Sequence, residues 1–164
     1  MVFGMSLATY TTLHTMISLI GIPAGIVALF GMLSGKLLKS WTWLFLFTTV
    51  LTSVTGFGFP VAGVMPSHIV GGISLAVLAA ALYALYGKRL SGAWRWIYVV
   101  TAVMALYLNS FVGVVQAFQK IPSLQKLAPT QSEPPFQIVQ LAAFLVFLLL
   151  GFLALRKFHP ERAA

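Results

Sequence analysis

Five stretches of about twenty residues each, at 11–33, 41–60, 67–87, 94–117 and 136–156, contain no Asp, Glu or Lys. A bilayer core about 30 Å thick is crossed by a helix of roughly 20 mostly apolar residues, so each stretch is long enough to span one. Together they take up most of a 164-residue chain in which 60% of side chains are hydrophobic and 7% charged. Such a mixture cannot clothe a water-soluble globule in charge. The expected fold is therefore all-α, a polytopic membrane bundle of five transmembrane helices forming one integral membrane domain over residues 1–164. The first stretch reads as a permanent span and not as a cleaved secretory signal. Residues 1–13 hold no Lys or Arg, and no small-residue cleavage site follows.

A net charge of +8 would point to nucleic acid in a soluble domain. Its distribution gives it a different meaning. Lys36 and Lys39 follow the first span, Lys88, Arg89 and Arg95 lie between the third and fourth, and Arg156, Lys157 and Arg162 follow the fifth, so eight of ten basic residues fall on one side. The excess of Lys and Arg marks the cytoplasmic face, which puts the N-terminus outside and the C-terminus inside a bacterial inner membrane. The 61–66 turn and the 118–135 loop then face outward, carrying only Lys120 and Lys126. Trp41, Trp43, Trp94 and Trp96 lie beside the inner basic loops, at the headgroup level that suits an amphipathic ring.

Several chemistries are excluded by composition. With no cysteine in the chain, thiol redox exchange, iron–sulfur clusters and thiolate metal sites are ruled out. Spans without Asp, Glu or Lys argue against a carboxylate proton pump and against a lysine Schiff base. No Ser/His/Asp set, phosphate loop or HExxH helix is present.

Small and polar residues indicate which face of each span turns inward, because helices in lipid associate through close backbone approach and interhelical hydrogen bonds. The first span offers His14, Ser18, Gly21, Gly25 and Ala28, with Pro23 as a candidate kink. The second offers Thr48, Thr52, Thr55 and Gly56, and the third His68, Gly72, Ala76, Ala80 and Ala84. The fourth offers Tyr98, Thr101, Ala105, Asn109, Gly113 and Gln116. The fifth reads "LAAFLVFLLLGFLAL", apolar all round, and is expected on the lipid side of a four-helix core. The loop before it, "QKIPSLQKLAPTQSEPPF", is broken by Pro129, Pro134 and Pro135.

His14 and His68 each stand in the first turn of an outward-starting span, on its small-residue face. Two neutral imidazoles on facing helices are a candidate ligand pair for one b-type haem, with Lys120 and Lys126 placed to meet its propionates. A copper site with Met16 and Met65 is a variant, although Met16 points away from His14 on its helix. Interfacial histidines without a ligand are the plain alternative. Asn109 lies near mid-bilayer, where an unpaired amide costs several kcal/mol on general grounds. It is expected to bond to Thr52 or Ser53. With Thr55, Gln116 and His14 it also outlines the polar end of a quinone pocket, which needs donors to carbonyl oxygens inside an apolar slot. Glu133 reads as a solvated loop charge near Lys120 or Lys126.

Three function classes follow. One is a cofactor or electron-transfer protein holding haem b or a quinone at an outward-side pocket. Another is a noncatalytic accessory or assembly subunit whose fifth helix and outer loop dock on a larger membrane complex or on a second copy. The third is a small-solute or lipid transporter, for which no broken-helix pair or charged pathway is visible.

The runs "WRWIYVVTAVMALYLNSF" and "LAPTQSEPPF" resemble those of small bacterial inner-membrane proteins with a histidine opening the first span. That resemblance covers most of the chain and implies five spans. No activity is assigned in the family, so it implies no functional residue. In layout alone, histidines on alternate helices of a four-helix core are similar to membrane b-type cytochromes.

Overall fold

The computed structural model describes residue 2, residues 4–60 and residues 66–160, with side chains from residue 68 onward in the second long segment. Met65 and Arg162 lie outside the described residues. Among the described residues all the secondary structure beyond one short bridge is helical: α1 (Leu7–Leu33), α2 (Lys39–Gly56), α3 (Pro66–Leu82), α4 (Trp94–Lys120), α5 (Pro122–Leu127) and α6 (Pro134–Lys157). Among the described residues four helical segments, α1, α3 with its continuation, α4 and α6, are long and apolar enough to cross a bilayer. The chain is a multi-pass membrane protein built as a helical bundle.

Local chemistry explains the ends. Helix α1 begins at Leu7, earlier than the hydrophobic pattern implies, because Ser6 is its N-cap and Ser6 Oγ accepts from the Thr9 amide at 3.1 Å. It runs unbroken through Pro23. Helix α3 continues into a π-helical turn, Tyr83–Gly87, and the chain then reverses through Arg89 and Leu90, both at positive φ (46° and 57°). Pro134 and Pro135 occupy the first turn of α6, where a missing N–H leaves no bond unmade. Glu133 precedes them. Its carboxylate accepts from Thr130 Oγ1 at 2.9 Å and from the Thr130 and Ser132 amides at 3.1 Å each, and not from a lysine. Desolvation pushes the carboxyl up, but hydrogen bonds from the Thr130 hydroxyl and the loop amides outweigh it and hold it below the usual carboxylate value.

Helices α1, α2, α3 and α4 pack in sequence around a closed ring, and α6 lies against α4 and α1. Its most apolar stretch is only 11% buried, against 39% for α1 and for α4, so α6 is peripheral. The core is centred on Phe45, Leu46, Leu78, Tyr98, Val99 and Leu106. On α3 and its π-helical continuation the buried residues are Ser74, Leu78, Ala81, Ala84 and Leu85, while Gly72 and Ala76 are exposed. This corrects the stripe expected from every fourth residue. Each four-residue step overshoots one turn by about 40°, so the row winds around the helix, exposed at Gly72 and Ala76 and buried only at Ala84.

The two ends of the bundle differ. At one end sit the α1–α2 turn, the start of α4 and the end of α6. Arg95 Nη1 there donates to the Phe158 and Leu155 carbonyls at 2.6 and 3.2 Å, capping the C-terminus of α6 over the fully buried Phe158 ring. Lys88 lies 5.5 and 5.7 Å from the centroids of the Tyr83 and Trp94 rings. Among the described basic residues, Lys36, Lys39, Lys88, Arg89, Arg95, Arg156 and Lys157 belong to this charge-rich end. Lys120 and Lys126 belong to the other.

Close approach of α1 to its neighbours depends on glycine. A Cβ at Gly25 would stand 2.5 Å from Leu106 Cδ1 and 2.7 Å from Phe45 Cδ2, two side chains too well packed to retreat. A Cβ at Gly72 would meet nothing within 4 Å. Gly25→Ala should therefore destabilise the bundle by about 1–3 kcal/mol through overpacking, and Gly72→Ala should leave it within about 0.5 kcal/mol, measured by reversible denaturation in detergent.

Candidate functional site

In a water-poor setting the hydroxyls of α2 find acceptors on their own helix. Thr48, Thr49, Thr52 and Thr55 donate to the carbonyls of Leu44, Phe45, Thr48 and Leu51 at 2.7, 2.7, 2.9 and 2.6 Å. Their oxygens keep lone pairs for neighbouring helices. His14, two turns into α1, brings Nδ1 to 2.8 Å from Thr55 Oγ1. Tyr10, one turn earlier, donates its phenolic O–H to the Thr55 carbonyl at 2.7 Å, a second bond to an oxygen that also accepts from the Gly58 amide at 3.0 Å. Phe59 meets both rings edge-on, 5.0 Å from Tyr10 and 5.2 Å from His14.

The Thr55 hydroxyl has one proton, and the 2.6 Å contact with Leu51 O holds it. Thr55 Oγ1 can therefore only accept from His14, which places the imidazole proton on Nδ1. Nε2 carries the lone pair. It makes no hydrogen bond among the described residues.

His14 lines a cavity of about 90 Å³ at the charge-poor end, together with Thr49, Thr52, Ser53, Phe57, His68 and Asn109, and with Ser74 on the far wall. His68 comes from the first turns of α3 and stacks on Phe57, ring centroids 5.4 Å apart and 14° from parallel. A Cβ at Gly71 would approach Phe57 Cε2 to 3.2 Å, so α3 needs glycine there to lie against that ring. Asn109 comes from α4 and is only 7% exposed. Its Oδ1 accepts from Ser18 Oγ on α1 at 2.9 Å, while its Nδ2, a donor of two protons, has no partner.

The partner of Asn109 differs from the expected one. Thr52 has committed its hydroxyl to Thr48 O, and Ser18 of α1 supplies the bond instead. The remaining sequence candidates do not all converge. Thr55 is bonded to His14 and stands behind the cavity wall. Gln116 is exposed and reaches Gln119 at 3.4 Å, and Lys120 and Lys126 are exposed at the ends of α4 and α5; none of these three lines the cavity. Met16 is 57% exposed and faces away. Among the described residues no group of three or more His, Cys, Asp or Glu is placed to hold a metal ion. Sequence reasoning passed over Ser18 as a donor and Ser74 as a lining residue. The first lay in plain view on the α1 stripe, four residues after His14, and the second was hidden by the drift of the α3 row.

A second concavity lies between α4 and α6, about 350 Å³ and almost wholly apolar, lined by Val103, Tyr107, Phe144, Phe147, Gly151 and Phe152 among others. Tyr107 packs there against Phe144 and Phe147. Gln140, above it, donates to Phe111 O at 3.2 Å and ties α6 to α4.

Ser18→Ala would leave both polar atoms of the Asn109 amide unpartnered and should cost about 1–3 kcal/mol. Ser18→Ala combined with Asn109→Leu removes the amide as well and should recover part of that loss, a non-additivity readable in a double-mutant cycle of unfolding free energies. No family model, curated protein or solved structure matches the chain, so its function has to be argued from this site.

Proposed function

We propose that this chain is a five-span protein of the bacterial inner membrane, N-terminus outward and C-terminus cytoplasmic, that binds the head group of a membrane-dissolved quinone. The observation that carries the reading is that His14, His68 and Asn109, whose amide nitrogen has no partner, line one cavity flanked by aromatic rings. An amide N–H with no acceptor, nine-tenths buried, is costly unless something brings an oxygen to it. A ring carbonyl does so.

Volume favours the quinone over haem. Sites for drug-sized ligands run to roughly 300–1,000 Å³, a range to which a tetrapyrrole belongs, and this cavity has about 90 Å³. A six-membered ring is the better match, with its isoprenoid tail left in the lipid. The lysines that haem propionates would require, Lys120 and Lys126, line no part of the cavity.

The fifth span in this reading is α2. Eighteen residues make a helix about 27 Å long, close to the hydrocarbon thickness, and its threonines, which lower its apolarity, are satisfied within the helix. The gathering of Lys, Arg and Trp at one end of the bundle supports the orientation.

A second reading, an accessory or assembly subunit, draws on the peripheral α6 and the apolar groove beside it. It predicts comigration with a larger assembly in mild detergent. For the quinone reading, protein purified from membranes should carry extractable quinone, and Asn109→Leu or His14→Ala should reduce it several-fold while the helical circular dichroism is kept; protein free of quinone that also fails to bind a short-chain benzoquinone would refute it. Because the chain has no cysteine, single-cysteine variants report topology directly. Thr130→Cys should react with an impermeant maleimide in intact cells, and Ser91→Cys only after the membrane is opened.

A further inference from the structure

We infer that the isoprenoid tail of the bound quinone passes over the outer face of α4 and lies in the apolar groove between α4 and α6 before the rest of it enters the lipid; this rests on the quinone reading above. A cavity of about 90 Å³ takes a ring and leaves no space for a tail. The tail has to leave between two helices.

Most of the seams around the cavity are crossed by specific contacts. His14 and Tyr10 tie α1 to Thr55 of α2, Ser18 ties α1 to Asn109 of α4, and Phe57 of α2 lies against Gly71 and His68 of α3. Between α3 and α4 the lining is apolar on both sides, with Val70 on the first and Leu108 and Val112 on the second, all three partly exposed. A hydrocarbon chain meets the least resistance there.

Helix geometry sets the path beyond. A four-residue step turns by about 40°, so Val112, Leu108, Met104 and Val100 form one slanting apolar row about 18 Å long on α4. Val112 and Leu108 line the cavity, and Leu108, Met104 and Val100 line the groove. Leu108 belongs to both. The row thus joins the two along one helix, and Met104 and Val100, at 44% and 40% exposure, leave it open to the bilayer.

The groove suits an isoprenoid chain. It holds about 350 Å³, and Tyr107, Phe144, Phe147 and Phe152 give it flat aromatic walls. Lipid chains are as apolar as those walls, so burial alone favours no occupant. Stiffness and attachment decide. The double bond of each isoprene unit does not rotate, so an isoprenoid has less freedom to lose than a saturated chain of equal carbon count. A ring held in the cavity also keeps its own tail at high local concentration beside the groove.

Full-length protein in nanodiscs is titrated with benzoquinones that share one ring and carry no tail, a geranyl tail or an n-decyl tail, each Kd being expressed per mole of lipid so that partitioning cancels. The geranyl compound should bind at least about threefold tighter than the other two. Met104→Trp and Leu148→Trp each add an indole to a wall of the groove, and should bring the geranyl compound to the affinity of the tail-less ring without changing the latter. A diazirine at the end of the geranyl tail should label residues 144–155 of α6. Equal affinities throughout, a decyl tail as tight as the geranyl tail, or label confined to α2 and α3 overturns the inference and leaves the quinone reading standing. Binding of none of the compounds overturns both.

Discussion

A hydroxyl group has a single proton, and in α2 four threonines give theirs to carbonyls of their own helix. Away from water the alternative is an unsatisfied hydroxyl, which is costly. The consequence reaches beyond α2. Once Thr55 has donated to Leu51 O, its oxygen can only accept, and the partner that reaches it from α1 must bring a proton. The protonation pattern of His14 is therefore an outcome of helix chemistry on the neighbouring element. The same logic turns Asn109 toward Ser18, a hydroxyl on α1 whose proton α2 does not claim.

The bundle divides its work between its ends. At the charge-rich end Arg95 caps α6, Phe158 fills the space beneath, and Tyr98 is wholly enclosed, so helix spacing there is fixed by packing and by a guanidinium on two carbonyls. At the other end rings and hydroxyls leave room. A rigid base and a small polar opening in the opposite half are what a binding site needs, since the first determines how precisely the second is shaped.

Much of the architecture was legible in the sequence because its causes are local or periodic. The positions of the four most apolar helices follow from apolar length, the inward face of α1 from its glycines, and the peripheral place of α6 from an apolar surface with no preferred side. His14 and His68 could be set at a common level from their distances to the span ends, and both line one cavity. Other features depend on contacts that periodicity cannot carry. The inward face of α3 was misjudged because a four-residue step drifts around the helix, and the π-helical turn at Tyr83–Gly87 leaves no mark in composition. Arg95 reads in the sequence as one more inner charge; its role on the α6 terminus exists only because residues sixty positions apart meet. Gln116, Lys120 and Lys126 were grouped with the site by depth alone, and depth does not say which way a side chain faces.

The account depends on where one proton sits. Protein labelled with ¹⁵N in its three histidine side chains, reconstituted in lipid at mildly alkaline pH and assigned through His68→Gln and His159→Gln, gives the state of each ring nitrogen by NMR. The account predicts that His14 has a protonated Nδ1 and a bare Nε2, and that Thr55→Val mixes the two tautomers. A His14 ring protonated on Nε2 in the native protein would contradict it, because the lone pair would then point at Thr55, which would have to take its proton from Leu51 O to meet it.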